Sequence, residues 1–228
     1  MKGVINFALF LMMTLVVFSC KEKVESAAEV TQEAASAEGV VYNVSPEAAK
    51  INWQGVKPGT THHGTIDIQT GQLVVKDNQV VAGSFVIDMN SIKDLDLEGE
   101  YKEMLETHLK GTGSEGTDDF FNVNKFPTGK FEIVSISPAT DGNANSLVKG
   151  NLTLKDISKE ILIPANITVT DNNVVVTSNP FTINRTDWGI VYKSKNVFKN
   201  IGDKFVDDNI YLQLMVDAKA DSTLSSRE

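Results

Sequence analysis

The sequence predicts an all-β domain of antiparallel strands, each wet on one face, interrupted by one helix. Three observations predict it. From Val41 onward apolar residues recur with a period of two, as in Phe85, Ile87 and Met89 against Ser84 and Asp88. Turn-forming clusters separate these runs at Asp77-Asn78, Asp141-Gly142-Asn143 and Asp171-Asn172-Asn173. One segment, Asp94–Lys110, carries a helical period instead.

Taken in order, strands are expected at Val41–Val44, Ile51–Val56, His63–Thr70, Gln72–Lys76 and Val80–Met89. After the helix they resume at Lys130–Ile136, Leu147–Leu154, Glu160–Val169, Val174–Ile183 and Asn209–Ala218. Ile161, Ile163, Ala165 and Ile167 alternate with Glu160, Pro164, Asn166 and Thr168. Ile210, Leu212, Leu214 and Val216 alternate with Asn209, Tyr211, Gln213 and Asp217. One apolar and one mostly polar face describe antiparallel sheet solvated on one side. In the helix, Leu97, Tyr101, Met104, Leu105 and His108 form one stripe, with Glu98, Glu100, Lys102, Glu103 and Glu106 around it. A second short helix fits Ser194–Asn200. About eight or nine hairpin-connected strands suit either a sandwich or a closed barrel, and patterning does not separate the two.

The 228 residues suffice for one well-buried domain, and 41% hydrophobic with 22% charged content is ordinary for a globular chain. Residues 1–19 stand apart. Lys2 precedes an apolar run, Val4–Val17, too short for a comfortable membrane span, so the segment reads as a signal peptide. Val17-Phe18-Ser19-Cys20 resembles the processing site of a lipoprotein, which would make Cys20, the one cysteine of the chain, an acylated N-terminus. Residues 20–39 then form a lipidated, flexible tether without Phe, Trp or Leu, spanning about 25 Å as random coil. Residues 40–219 are the domain, and 220–228 a disordered tail. The expected location is the cell envelope, with the domain in the periplasm or at the outer surface. The formal charge of −9, without any Lys/Arg cluster, excludes a nucleic-acid partner. Homodimerisation is left open.

The densest signal is Asp118-Asp119-Phe120-Phe121-Asn122-Val123-Asn124-Lys125-Phe126-Pro127-Thr128-Gly129-Lys130-Phe131. Its four phenylalanines have no helical period and read as an irregular corner that plugs the end of a sheet. Two later segments complete a pattern: Val148-Lys149-Gly150-Asn151-Leu152-Thr153-Leu154-Lys155-Asp156-Ile157-Ser158-Lys159 and Phe181-Thr182-Ile183-Asn184-Arg185-Thr186-Asp187-Trp188-Gly189-Ile190. With His108-Leu109 ahead of the corner, the chain resembles the YceI-like family of lipid- and polyisoprenoid-binding β-barrels from about Val41 to Ala218. Phe126 stands where the family has Tyr, Lys155-Asp156-Ile157-Ser158 where it has His-Gly-Val-Thr, and Trp188 where it has Phe. The resemblance implies an eight-stranded antiparallel, lipocalin-like barrel with one inserted amphipathic helix at about 95–110. It also implies an isoprenoid-like lipid ligand, a quinone or polyprenyl chain, with no other cofactor.

Phe85, Ile87, Phe131, Ile133, Leu152, Leu154, Ile161, Ile163, Leu212 and Leu214 are the alternating apolar set and the candidate cavity wall. As residues alone they read equally well as plain core, since an eight-stranded interior is either just filled by side chains or holds one ligand. His62, His63 and His108 are the only histidines. Adjacent strand residues point to opposite faces, and no cysteine or carboxylate cluster with ligand spacing completes a metal site, so none is assigned. Arg185 and Asp187 read as a structural corner in which Arg185 pairs with a carboxylate and Trp188 covers the core. Asp118-Asp119 reads as turn chemistry. Lacking a phosphate loop and a nucleophile elbow, the chain is expected to bind rather than catalyse. Two alternatives stand beside the lipid carrier. One is a structural or interaction lipoprotein with a filled barrel, and the other a metal-dependent hydrolase using His62 or His63 with His108.

Overall fold

The computed structural model describes residues 31–140 and 142–221. The signal segment, Cys20 and most of the tail fall outside these residues. The described residues form ten strands: β1 (Val40–Val44), β2 (Lys50–Lys57), β3 (Thr60–Lys76), β4 (Gln79–Asp94), β5 (Thr128–Pro138), β6 (Ser146–Leu154), β7 (Ile157–Val169), β8 (Asn173–Ser178), β9 (Phe181–Asn184) and β10 (Asn209–Ala220). One α-helix, α1 (Gly99–Lys110), lies between β4 and β5.

Each strand from β2 to β8 pairs antiparallel with the next, and β10 pairs with both β8 and β2, so the sheet closes on itself. β1 shares its neighbours β3 and β10 with β2, and β9 lies beside β10 as β8 does. Ten strands therefore build eight staves, two of them broken. Both breaks contain a proline. Pro46 opens a 3-10 turn between β1 and β2, and Asn179-Pro180 divides the expected strand Val174–Ile183 into β8 and β9. Proline has no N–H for the ladder, which ends pairing at that point. Elsewhere the expectation was too short. His63–Thr70 and Gln72–Lys76 are one strand, β3, whose register against β4 shifts near residues 66, 69 and 75. Such bulges increase local twist and help a sheet coil into a barrel.

Two hairpins turn on adjacent residues with positive φ: Asp77-Asn78 (50° and 61°) and Lys155-Asp156 (48° and 60°). This turn type matches the right-handed twist of the flanking strands, and Asn and Asp tolerate it well. Lys155 does not favour that backbone, but its ammonium donates to the carbonyls of Phe120 (2.7 Å) and Asp118 (3.3 Å). The strained turn thus holds the Asp-Phe-Phe corner against the barrel.

The helix differs from its expected form in phase and in start. Tyr101 and Met104 are 73% and 60% exposed, whereas Leu105, His108 and Leu109 face the barrel. The inward stripe is thus shifted from the one read in the sequence. Asp94 remains in β4 and turns the chain ahead of the helix by accepting from the N–H of Asp96 (3.2 Å) and of Leu97 (2.7 Å). No helix forms at Ser194–Asn200. Asp208 accepts there from the Ser194 hydroxyl (2.8 Å) and the Asn196 amide (2.7 Å), which stabilises turns instead. Residues 31–39, the later half of the segment read as tether, run along the outer wall. The Ala35 N–H donates to the Ile133 carbonyl (2.8 Å), and the Asn151 amide donates to that of Gln32 (2.7 Å).

Candidate functional site

The barrel is hollow. A cavity of about 490 Å³ runs through it, within the size range of small-molecule sites. It borders Val80 and Ile167 towards one end and Lys57, His62 and Lys204 at the other. On β10 the wall runs from Ile210 to Val216, roughly 20 Å of strand.

All ten residues of the alternating set border this cavity, on β4, β5, β6, β7 and β10. Phe85 and Phe131 stand opposite each other across β4 and β5, with ring centroids 6.3 Å apart. Their rings lie against glycines on neighbouring strands. A Cβ at Gly71 would meet Phe85 at 2.6 Å, and one at Gly150 would meet Phe131. Missing side chains on the adjacent staves let two large rings fold onto the wall instead of across the lumen. That packing keeps the interior open, and it also answers the filled-barrel alternative: these side chains do not fill the barrel.

Sequence reasoning missed other parts of the wall. Trp53, Ile66, Ile68, Phe181 and Ile183 also face the cavity. Alternation would have included them had their strands been phased against Phe85 and Leu212. Trp53 is buried, and its indole N–H has no hydrogen-bond partner among the described residues.

One end carries the polar groups and its own cover. The corner places Phe120 and Phe121 there beside Leu105, His108 and Leu109 of α1, which plugs the end of the sheet as expected. His108 pairs with Asp119 (2.9 Å) and packs edge-on against Phe120 and Tyr192. Asp118 accepts from the Asn122 amide (2.6 Å), the turn role expected of it. The loop 190–208 supplies Tyr192, Lys193, Asp203, Lys204 and Phe205 to the same mouth.

Arg185 holds that loop. It is 1% exposed and pairs with Asp208 (3.2 Å), not with the nearby Asp187. Its guanidinium also donates to the carbonyls of Asp207, Ile190, Tyr192 and Val206 at 2.8–3.0 Å. Burial pulls its pKa down and the Asp208 and Asp207 carboxylates pull it back up, so it remains the cation of a buried pair. Trp188 is buried and donates from its indole to the Leu152 carbonyl (3.0 Å). The Arg-Thr-Asp-Trp segment is therefore structural.

The histidines separate. His62 borders the cavity and His63 points outward, yet both meet Asp96, at 2.9 and 3.5 Å. Burial works to raise the Asp96 pKa, but the His63 N–H, the His62 ring and the Asp94 contact outweigh it, so the net shift is downward. Asp94, Asp96 and His62 form one group, whereas His108 belongs to the Asp119 pair.

A closed antiparallel barrel with an apolar lumen and a covered polar mouth defines a small binding protein of lipocalin-like shape. The sequence matches the YceI-like domain over residues 42–218, most of the chain, and the protein belongs to that family. Solved structures with a similar fold include two from other bacteria. Burkholderia cenocepacia BcnA is 16% identical, with a TM-score of 0.58 over 77% of this chain and 99% of its own. A polyisoprenoid binding domain from Saccharophagus degradans, implicated in plant cell wall breakdown, is 12% identical, with a TM-score of 0.54 over 80% and 99%. No curated relative matches the sequence.

Proposed function

We propose that this protein is a lipid-anchored envelope lipoprotein that sequesters or carries an isoprenoid-like lipid, a quinone or polyprenyl chain, inside its barrel. The observation that carries the proposal is the lumen: about 490 Å³, walled by aliphatic and aromatic side chains, with polar groups gathered at one mouth. Such a shape suits a ligand with a long apolar tail and a small polar head. Each buried CH₂ contributes about 0.8 kcal/mol, so a tail of ten carbons gains roughly 8 kcal/mol before the cost of ordering it. The Saccharophagus degradans neighbour, described as polyisoprenoid-binding, supports the ligand class.

Cys20 would carry the anchor. Eleven residues separate it from Gln32, the first described residue bonded to the barrel, so the chain between them reaches at most roughly 40 Å. That distance keeps the barrel near the membrane from which a lipid would be loaded. Binding, not turnover, is the activity assigned.

Native mass spectrometry of the detergent-extracted protein tests the reading. The expected result is a mass increment that organic extraction removes and that fragments as a prenyl chain. A bare protein that also fails to take up added polyprenol or quinone would end the carrier reading.

A further inference from the structure

We propose that His62, Asp94 and Asp96 form a divalent-metal site at the rim of the barrel. The antiparallel register assembles it. β3 begins as Thr60-Thr61-His62-His63-Gly64, and β4 ends as Ile92-Lys93-Asp94, running on into Leu95-Asp96. Gly64 pairs with Asp94, and the Leu95 N–H donates to the His63 carbonyl (2.9 Å), so Asp96 arrives opposite His62. One ligand atom from each of the three side chains lies within 4.8 Å of the other two. No sequence spacing announces this, because the residues are 32 and 34 positions apart along the chain.

An ordinary ion pair between His62 and Asp96 does not account for the cluster. Asp94 is 0% exposed, and one of its carboxylate oxygens accepts both available N–H groups, from Asp96 and Leu97. The other oxygen, Oδ2, is buried with no hydrogen-bond partner among the described residues. A buried anionic oxygen left uncompensated is costly, and proteins retain such groups where a cation completes them.

The surroundings suit that role. Asp96 is held from behind by the His63 N–H (2.7 Å), as Asp94 is held by its two backbone donors, so both carboxylates are oriented beforehand. One imidazole and two carboxylates balance a divalent charge, and this nitrogen-oxygen set favours zinc among the common ions over calcium or magnesium. Three protein ligands leave a fourth position open. His62 borders the lumen, so the open position lies at the cavity mouth. The site stands whether or not the lumen takes a lipid.

Zinc itself is the probe. The full chain in detergent, stripped with chelator and dialysed, is titrated calorimetrically with zinc at neutral pH, with elemental analysis for stoichiometry. One zinc per chain is expected, with a dissociation constant below about 10 µM, and a thermal midpoint that rises with zinc and falls again with chelator. His62→Gln and Asp96→Asn should each weaken binding at least about tenfold, whereas His108→Gln should leave it unchanged. Asp94→Asn gives a second signature: it should abolish the zinc-dependent rise while leaving the metal-free chain as stable or more so, because the uncompensated charge is gone. Should that variant fail to fold, the His62 and Asp96 variants still decide. Absence of stoichiometric zinc, or affinity indifferent to both of those substitutions, overturns the site.

Discussion

Replacing Leu214 by Trp distinguishes a lumen that receives a ligand from one that is merely hollow. Leu214 lies on β10 between Leu212 and Val216, and it is only partly buried although it points inward, because its free side borders the cavity. Tryptophan adds six non-hydrogen atoms to the side chain. In a filled interior such a change overpacks and costs about 1–3 kcal/mol. Beside a 490 Å³ cavity the ring has room, and the stability change should stay below about 1 kcal/mol. The ring would displace about six carbons of a bound chain, up to roughly 5 kcal/mol of lost burial and some three orders of magnitude in affinity. Phe85 and Phe131 are poorer places for the test, since their rings already press on Gly71 and Gly150. Val174→Phe is the control: Val174 is fully buried away from the cavity, so overpacking there should show in full. Urea midpoints and retention of a polyprenol, measured on the same proteins, give the answer. A stable Leu214→Trp that binds polyprenol as well as the parent would refute the lumen as the binding site. Destabilisation equal to the control would refute its openness.

Three further outcomes are expected. Arg185→Met strands the Asp208 carboxylate and four carbonyls, and should lower stability by about 3–5 kcal/mol by urea titration, with faster amide exchange across 190–208. Trp53→Phe removes an indole N–H that has no partner among the described residues, so the ligand-free protein should be unchanged or up to about 1 kcal/mol more stable, and a loss above about 2 kcal/mol would mean that the N–H is satisfied. Cys20→Ser should move the protein from the membrane to the soluble fraction; unprocessed chain that stays with the membrane would make Val4–Val17 a true span.

The alternation of apolar residues determined which side chains face inward. Each strand's period is a local property, so Phe85 and Ile87, or Leu212 and Leu214, could be assigned a face without knowing their neighbours. The turn residues Asp77-Asn78 were legible for the same reason: their preference for positive φ belongs to the residues themselves. The three segments 118–131, 148–159 and 181–190 carried the family. What alternation could not express is what stands across the lumen. An inward face is the same in a filled barrel and a hollow one; the difference arises where Phe85 meets Gly71 and Phe131 meets Gly150, contacts made only once β3, β4, β5 and β6 are in register. Partnerships of charge were hidden likewise. Arg185 passes over Asp187, two residues away, for Asp208 on the far side of the loop it anchors, and His62 finds Asp94 and Asp96 through strand pairing. Periodicity reports the environment of a residue, because burial is encoded position by position; the identity of its partner depends on register and closure, which many distant residues decide together.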